Sequence, residues 1–190
     1  MRKLTLEPKD QSNEFITLVD ENDTQWGKIE KIQAHEKGLL HRAFSIFIFN
    51  SKGELLLQQR SPNKYHSGNL WTNTCCSHPS FGESLASAAN RRLMEEMGFD
   101  CSLTYGFNFI YKASFDNGLI EHEFDHVFFG KSDELPIPNA NEVKDWKYMS
   151  LSELTIDIDR NPDRYTAWLK ICFPKVLAYV QQDDIHSIAS

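Results

Sequence analysis

The side chains best suited to chemistry are histidines, cysteines and acidic residues in the first two thirds of the chain. Cys76 and His78 stand two residues apart in the segment WTNTCCSHP. Such a pair could be a nucleophile with its base, two metal ligands, or a small core residue beside a surface imidazole. The pair alone leaves all three interpretations open.

An acidic strand is predicted further along the chain. Glu121 and Glu123 alternate with other residues, so the two-residue period of a strand places both carboxylates on one face, with Asp125 beyond them. With upstream imidazoles they form a ligand set that suits a six-coordinate divalent cation such as Mn²⁺, Zn²⁺ or Mg²⁺. The five residues of this set are His35, His41, His78, Glu121 and Glu123. We therefore expect one tightly bound divalent cation.

A helix with a carboxylate on its apolar side is predicted over residues 84–97. Its apolar side chains recur every four residues, at Leu85, Ala89, Leu93 and Met97. Gly98 suits the position that follows a helix, and Glu96 falls within the apolar arc. A carboxylate there is costly unless it pairs with a cation or binds a metal. Both interpretations are open, because Arg92 stands four residues earlier.

The strands that must position these residues read as two hairpins. They occupy residues 42–50 and 54–59, around Ser-Lys-Gly, and residues 105–115 and 121–129, around Asp-Asn-Gly. A short strand is predicted at residues 146–149. A second helix is predicted at residues 164–182, where Asn161-Pro162 is a start signal and Pro174 marks a kink or a new segment. The fold class is therefore mixed α and β.

Composition excludes several classes of protein. The chain has 190 residues, of which 41% are hydrophobic, so we expect one domain over 1–190 with polar end segments at 1–30 and 183–190. Twenty Lys and Arg against 27 Asp and Glu give a net charge of −7, which disfavours nucleic-acid and anionic-membrane partners. The longest apolar stretch, 43–49, is too short to span a membrane. Without a visible secretory signal, and with four sparse cysteines, a cytoplasmic protein with reduced thiols is expected.

The helix and the loop before it resemble the Nudix box, G-x5-E-x7-R-E-U-x-E-E-x-G-U, in which U is an aliphatic residue. The matching positions are Glu83, Arg91, Glu95, Glu96 and Gly98. Ser77 replaces the leading glycine, and Arg92 replaces the first glutamate of the R-E pair. In Nudix hydrolases the acidic residues of this helix bind the divalent cations that activate diphosphate cleavage. The substitution at position 92 therefore favours a diphosphate that is bound without being cut.

The wider pattern resembles the type I isopentenyl-diphosphate Δ-isomerase family, from about residue 31 to residue 168. Its distinctive pieces are LHRAFS at 40–45, WTNTCCSHP at 71–79 and EHE at 121–123. The resemblance implies a Nudix-like α/β/α sandwich with mixed, largely antiparallel sheets, and an isomerase acting on an allylic or homoallylic diphosphate. Two alternatives stay open, a Nudix diphosphatase acting on a nucleotide-linked or other diphosphate and a non-catalytic metal- or diphosphate-binding module.

The same resemblance implies a role for each matching residue. Cys76 and Glu123, with Tyr111 near Glu123, are the catalytic groups. The five-residue His and Glu set holds the first metal, while Glu96 helps to hold a Mg²⁺ that arrives with the substrate. Trp168 faces a carbocation. The residues expected to bind the diphosphate are Lys31, Arg60, Lys64 and Arg92.

The chemistry of such an isomerisation agrees with these residue types. Moving a double bond from C3–C4 to C2–C3 requires a proton delivered at C4 and another removed from C2, so two proton-transfer groups are needed. The tertiary cation between these steps must be shielded from water beside a π-face, for which Trp168 and Trp71 are suitable. A metal on Glu123 would orient its carboxyl and tune its proton affinity.

Overall fold

The computed structural model describes residues 14–182. Its strands are β1 Phe15–Val19, β2 Gln25–Glu30, β3 His41–Phe49, β4 Leu55–Arg60, β5 Trp71–Thr72, β6 Cys75–Ser77, β7 Leu103–Ser114, β8 Ile120–Lys131 and β9 Val143–Met149. Its helices are α1 Lys31–Lys37, α2 Leu85–Met97, α3 Leu151–Arg160 and α4 Ala167–Gln182, with a 3-10 turn at Pro162–Arg164. The segment expected to be a polar end thus contributes β1 and β2. The end segment 183–190 lies outside the described residues, and the single domain over 1–190 stays a prediction.

Strand β3 lies at the centre of the sheet. It pairs in parallel with β8, from His41 opposite Glu123 to Phe49 opposite Lys131, and antiparallel with β6 on its other edge. Its side chains alternate between two cores, with Phe44, Ile46 and Ile48 in one and Phe47 and Phe49 in the other. A strand that is covered on both faces reads as a nearly continuous apolar run, as this one does.

The two predicted hairpins differ in outcome. β7 and β8 form the second hairpin as predicted, and the short strand at residues 146–149 is confirmed as part of β9. The first pattern is a hairpin only at its turn, where Phe49 pairs with Leu55, because β4 then leaves β3 to pair with β5 and β9. Both edges of β3 are already occupied by β6 and β8, so the prediction of a full hairpin there is wrong.

Helix α2 follows the prediction closely. The side chain of Ser84 caps it by accepting the N–H of Ser87, and Gly98 ends it in the left-handed region at φ 77°. A Cβ atom at position 98 would lie 2.3 Å from the carbonyl oxygen of Ile137, so the helix end requires glycine. Helix α4 begins at Ala167, after the 3-10 turn that Pro162 opens, and Pro174 lies within it.

The helices form layers on both sides of the sheet. Leu93 and Met97 of α2 pack in the core that contains Phe44, while Leu169 and Val176 of α4 pack in the other core. This arrangement confirms the expected α/β/α sandwich with a mixed, largely antiparallel sheet. Within residues 14–182, no helix has both the length and the apolar character that crossing a membrane requires.

Candidate active site

The fold brings the five predicted metal ligands together. His35 lies on α1, His41 begins β3, His78 follows β6, and Glu121 and Glu123 lie on β8. Each offers one ligand atom, and these atoms all lie within 4.8 Å of one another. All five side chains are buried. We call these five residues the His/Glu cluster.

Strand pairing around β3 accounts for this convergence. The parallel register places His41 opposite Glu123, and the antiparallel pairing of β6 brings Ser77 opposite Phe44. His78 therefore emerges beside the start of β3, where its Nε2 lies 3.1 Å from Nε2 of His41 and 2.8 Å from Oε1 of Glu123.

Backbone carbonyls orient two of the imidazoles. Nδ1 of His35 lies 2.6 Å from the carbonyl oxygen of Lys31, and Nδ1 of His41 lies 2.8 Å from that of Leu39. A carbonyl oxygen only accepts, so each Nδ1 carries a hydrogen and Nε2 is the atom turned toward the cluster. This is how metal-binding imidazoles are usually fixed, and the donor set of three imidazoles and two carboxylates fits a divalent cation.

The carboxylates of the cluster stay ionised despite their burial. Burial alone would raise the pKa of Glu121, but contacts with His35 and His66 outweigh it and hold that pKa well below the usual range. Burial and Glu121 both act to raise the pKa of Glu123, yet the contacts with His41 and His78 lower it on balance. Two buried negative charges at one point favour a bound cation.

The predicted catalytic groups lie beside this cluster. The hydroxyl of Tyr111 donates to Oε2 of Glu123 at 2.6 Å, and burial followed by the charge of Glu123 raises the pKa of Tyr111. The thiol of Cys76 donates to Oδ1 of Asn73 at 2.9 Å and lies 3.3 Å from Oγ of Ser45. Burial raises the pKa of Cys76, so the group is a thiol at neutral pH.

The neighbouring cysteine faces the other way. Cys75 packs with Phe44 and Leu93 in the core on the α2 side, whereas Cys76 packs against the α4-side core and lines the cavity. Alternation along β6 separates the two thiols. Asp125 continues the acidic face of β8, but its Oδ2 accepts from Ser45 at 2.7 Å, and it lies outside the His/Glu cluster.

One cavity of about 1140 Å³ joins the predicted site residues. His35 and His41 lie behind its wall. The other predicted site residues all line it: Lys31, Arg60, Lys64, Cys76, His78, Arg92, Glu96, Tyr111, Glu121, Glu123 and Trp168. Trp71 does not line the cavity and packs in the core, with Nζ of Lys147 4.3 Å from the centre of its ring. Its role as a second π-face stays a prediction.

Three of the four predicted diphosphate-binding cations already contact carboxylates. Nζ of Lys31 lies 2.6 Å from Glu14, and Lys64 pairs with Glu142. Arg92 reaches both Glu95 and Glu96 at 2.6 Å, so the pair between Arg92 and Glu96 that the helix pattern allowed does form. Nε2 of Gln58 donates to the second oxygen of Glu96 at 2.8 Å.

The fourth cation, Arg60, has a different environment. Its guanidinium carbon lies 4.9 Å from the ring centre of Trp168, and Nη2 donates to the carbonyl oxygen of His66 at 3.2 Å. Within the described residues, four buried nitrogen atoms of the cavity wall have no hydrogen-bond partner: Nε of Arg60, Nε2 of His66, Nε of Arg92 and Nε1 of Trp168. Unsatisfied guanidinium donors in a cavity suit a ligand with anionic oxygens.

Sequence reasoning missed several residues of the wall, among them His66 and Glu142. His66 lies 2.7 Å from Glu121 through its Nε2, and its position two residues after Lys64 was an available signal. Glu142 contacts Lys64 and lies 3.4 Å from Arg92, but it is an isolated acid in a loop that no periodicity singles out. Burial lowers the pKa of His66, and the charges of Lys64 and Arg92 outweigh burial to lower that of Glu142.

Comparison with known proteins places the chain in a family. The NUDIX domain family matches residues 39–169. Isopentenyl-diphosphate Delta-isomerase 2 of Aromatoleum aromaticum is 53% identical over 163 residues, covering 86% of each chain. Isopentenyl-diphosphate Delta-isomerase of Pectobacterium atrosepticum is 51% identical over 166 residues, covering 87% of this chain and 93% of the other.

Solved structures support the same fold. DR0079 from Deinococcus radiodurans aligns with a TM-score of 0.66 at 25% identity, covering 78% of this chain and 90% of the other. A MutT protein from Methanosarcina mazei Go1 aligns with a TM-score of 0.60 at 19% identity, covering 72% and 91%. With half of its residues shared with the curated relatives and its Nudix helix in place, the chain belongs to the NUDIX superfamily and, within it, to the isopentenyl-diphosphate Delta-isomerase family.

Proposed function

We propose that the protein interconverts isopentenyl diphosphate and dimethylallyl diphosphate. The observation that carries the proposal is the composition of one cavity, whose wall combines Cys76, Glu123 and Trp168 with six Lys and Arg side chains, among them the four predicted diphosphate-binding cations. The curated relatives that share about half of their residues with this chain bear the isomerase name, which supports the same conclusion.

The cationic part of the wall binds the diphosphate. Arg60 and Arg92 offer guanidinium donors that the described residues leave unsatisfied, and guanidinium groups bind phosphate oxygens in a bidentate manner. Lys31 and Lys64 add two ammonium groups to the same wall. Glu96, on the Nudix helix, helps to hold the Mg²⁺ that accompanies the diphosphate, since Mg²⁺ usually combines few carboxylates with phosphate oxygens.

Cys76 and Glu123 transfer the two protons. One group delivers a proton to C4, which leaves a tertiary cation at C3, and the other removes a proton from C2 so that the C2–C3 double bond forms. The substrate keeps its net charge, and the proton that the second group gains must return to the first group before the next turnover. Tyr111 holds Oε2 of Glu123 through its hydroxyl and so fixes the direction of that carboxyl group.

The His/Glu cluster holds a resident divalent cation, which we propose to be Mn²⁺, Zn²⁺ or Mg²⁺. When bound, such an ion orients the carboxyl group of Glu123 and lowers its proton affinity. The neighbouring imidazoles keep Glu123 in place through contacts that the structure already contains, including the 2.8 Å contact from His78.

Trp168 stabilises the cationic intermediate. Its ring belongs to the cavity wall and is almost fully buried, so it can shield a cation from water and offer a π-face. Arg60 lies over this ring at 4.9 Å. We expect the guanidinium to exchange this contact for the diphosphate when the substrate binds, because two cations cannot share one face.

The four cysteines of the chain are free thiols. Thiols persist in a reducing compartment, and Cys76 must be reduced to transfer a proton. We therefore propose that the reaction takes place in the cytoplasm.

One incubation tests the proposed function. Purified protein is supplied with isopentenyl diphosphate and Mg²⁺, and dimethylallyl diphosphate and released phosphate are assayed separately. We expect dimethylallyl diphosphate without phosphate release. Phosphate release without isomerisation would replace the proposal with a Nudix diphosphatase, and binding without either product would replace it with a non-catalytic binding module.

A further inference from the structure

His66 contacts both the metal cluster and the aromatic wall of the cavity. It lies in the loop between β4 and β5, where its Nε2 is 2.7 Å from Oε1 of Glu121. Its ring stacks on Phe115 with centroids 4.4 Å apart and an interplanar angle of 11°. The same ring meets Trp168 edge to face, at 5.7 Å and 80°.

The hydrogen on the His66 ring is assigned by its neighbours. Nε2 of His66 lies 2.7 Å from Oε1 of Glu121, but the pair does not meet the geometry of a regular hydrogen bond. Because an ionised carboxylate only accepts, a contact this short requires the hydrogen on Nε2. Nδ1 then accepts from Oγ of Ser67, which lies 3.1 Å away. In His35 and His41, by contrast, Nδ1 faces a backbone carbonyl oxygen and carries a hydrogen.

Position separates His66 from the predicted metal ligands. The five residues of the His/Glu cluster offer ligand atoms that lie within 4.8 Å of one another, and His66 is not one of the five. Glu121 is held from both sides, since its Oε2 lies 2.9 Å from His35 and its Oε1 lies 2.7 Å from His66. His66 therefore fixes the rotation of the Glu121 carboxylate without being a ligand itself.

We infer that His66 is a positioning residue for both the metal site and the aromatic wall. Its N–H orients Glu121 for the metal, and its ring holds Trp168 in place. The first half of this inference concerns metal binding alone. The second half rests on the proposed isomerase function, because Trp168 matters only if a cationic intermediate forms beside it.

Two substitutions separate the N–H group from the ring. His66→Gln keeps an N–H donor near the position of Nε2 and removes the ring, while His66→Phe keeps a ring that can stack on Phe115 and removes the donor. His122→Phe is the matched control, because His122 neighbours Glu121 on β8 but points away from the cluster, toward the carbonyl oxygen of Gly38 at 3.0 Å. Circular dichroism and thermal melting of the metal-free proteins establish that each variant folds.

Metal affinity is measured with Zn²⁺ and Mn²⁺ alone, by competition against a chelator of known affinity. We expect His66→Phe to weaken binding about 10- to 100-fold, as the loss of a partner of a metal ligand typically does. His66→Gln and His122→Phe should stay within about threefold of the wild type. Wild-type affinity in a folded His66→Phe would overturn the inference, as would equal losses in the Gln and Phe variants.

Steady-state kinetics at saturating metal test the bracing of Trp168. We expect His66→Gln to lower kcat for isopentenyl diphosphate while KM changes little, and His66→Phe to recover most of the wild-type kcat. Equal kcat values in the two variants would overturn the bracing role. If the wild-type protein shows no isomerase activity, the proposed function fails, whereas the metal measurements still decide the role of the N–H group.

Discussion

Two charged groups of residues meet in the cavity, and they are built differently. The His/Glu cluster contains two carboxylates and three imidazoles, all buried. The second group, which we call the helix cluster, consists of Lys64, Arg92, Glu95, Glu96 and Glu142. In the His/Glu cluster the carboxylates face imidazoles, whereas each carboxylate of the helix cluster contacts a lysine or an arginine.

This difference in charge compensation indicates which cation each group of residues can bind. Imidazoles bind a metal in their neutral form, so the two carboxylates leave a net negative charge for a resident metal ion to neutralise. The helix cluster compensates most of its charge internally. Under the proposed function, a diphosphate with its Mg²⁺ would exchange partners with it, the phosphate contacting Arg92 and Lys64 and the cation contacting Glu96. Arg92, which departs from the Nudix box, is the residue that creates this compensation.

The largest expected effect is the loss of activity on chelation, which removes the ion from the His/Glu cluster. We expect purified protein to carry about one tightly held divalent ion per chain without substrate, and a second, Mg²⁺, only with diphosphate. Elemental analysis and activity before and after exhaustive chelation check this, and re-addition of Mn²⁺, Zn²⁺ or Mg²⁺ is the control. A metal-free protein with full activity would remove the distinction between the two clusters.

Substitution of the thiol beside the His/Glu cluster should have the next largest effect. We expect Cys76→Ala to lower kcat by about 10²- to 10⁴-fold, because it removes a proton-transfer group. Cys75→Ala is the matched control, since that thiol lies in the opposite core, and it should retain most of the activity. Equal losses in the two variants, measured in the same isomerase assay, would contradict the assignment.

In the helix cluster, Arg92→Ala should chiefly impair substrate binding. Loss of a charge-assisted contact to the diphosphate raises KM about 10- to 100-fold, with a smaller fall in kcat. Arg92→Glu should be worse, because it places a negative charge where the diphosphate binds, although it also restores the Nudix carboxylate. If the wild-type protein hydrolyses nucleoside diphosphate derivatives and Arg92→Ala alters neither reaction, Arg92 serves only to pair with Glu96.

The smallest effect is expected at the outer rim of the Nudix helix. Arg91 contacts both oxygens of Glu83, at 2.8 and 2.7 Å, and this contact is the main reason that the pKa of Glu83 is lowered. Solvent screens the pair, so Arg91→Ala should lower the free energy of unfolding by about 0.5–1 kcal/mol at neutral pH and leave KM nearly unchanged.

The stability difference caused by Arg91→Ala should depend on pH with a defined sign. A carboxyl whose pKa is lowered by folding stabilises the protein above its unfolded pKa of about 4.3, and this contribution is lost as the pH falls through the lowered value. Urea unfolding of both proteins between pH 7 and pH 3 should show the difference shrinking below about pH 4.3. A difference that persists at the lowest pH would show that Arg91 acts through packing instead.

Much of the site could be predicted because its residues lie on elements with strong periodic signals. Glu121 and Glu123 share a face of one strand, and Glu96 lies on the apolar side of α2. The two-residue period of a strand and the 3.6-residue period of a helix therefore predict which way these side chains point. Helix α3 was not predicted, although Ser150 and Glu153 form the capping box that marks its start.

The remainder depends on contacts between distant residues, which no local period reports. Glu14 and Glu142 reach the cavity from a position before β1 and from a loop before β9, so their pairing with lysines could not be expected. Strands β3 and β4 likewise separate after their shared turn because β6 and β8 are hydrogen-bonded to the two edges of β3. Tertiary strand pairing determines these features. Sequence patterns indicate only which segments can form strands and which residues can contribute to the site.

Strand β3 also acts as a spacer between the two proton-transfer groups. Cys76 lies on β6 and Glu123 on β8, which are hydrogen-bonded to opposite edges of β3. Neighbouring strands are about 4.8 Å apart, which sets the lateral distance between the two backbones that carry these groups. The register adds an offset along β3, because Cys76 lies opposite Ser45 and Glu123 lies opposite His41, four residues earlier. Backbone hydrogen bonds therefore fix the span between the two groups, and substitutions in the cavity wall change its chemistry without changing that span.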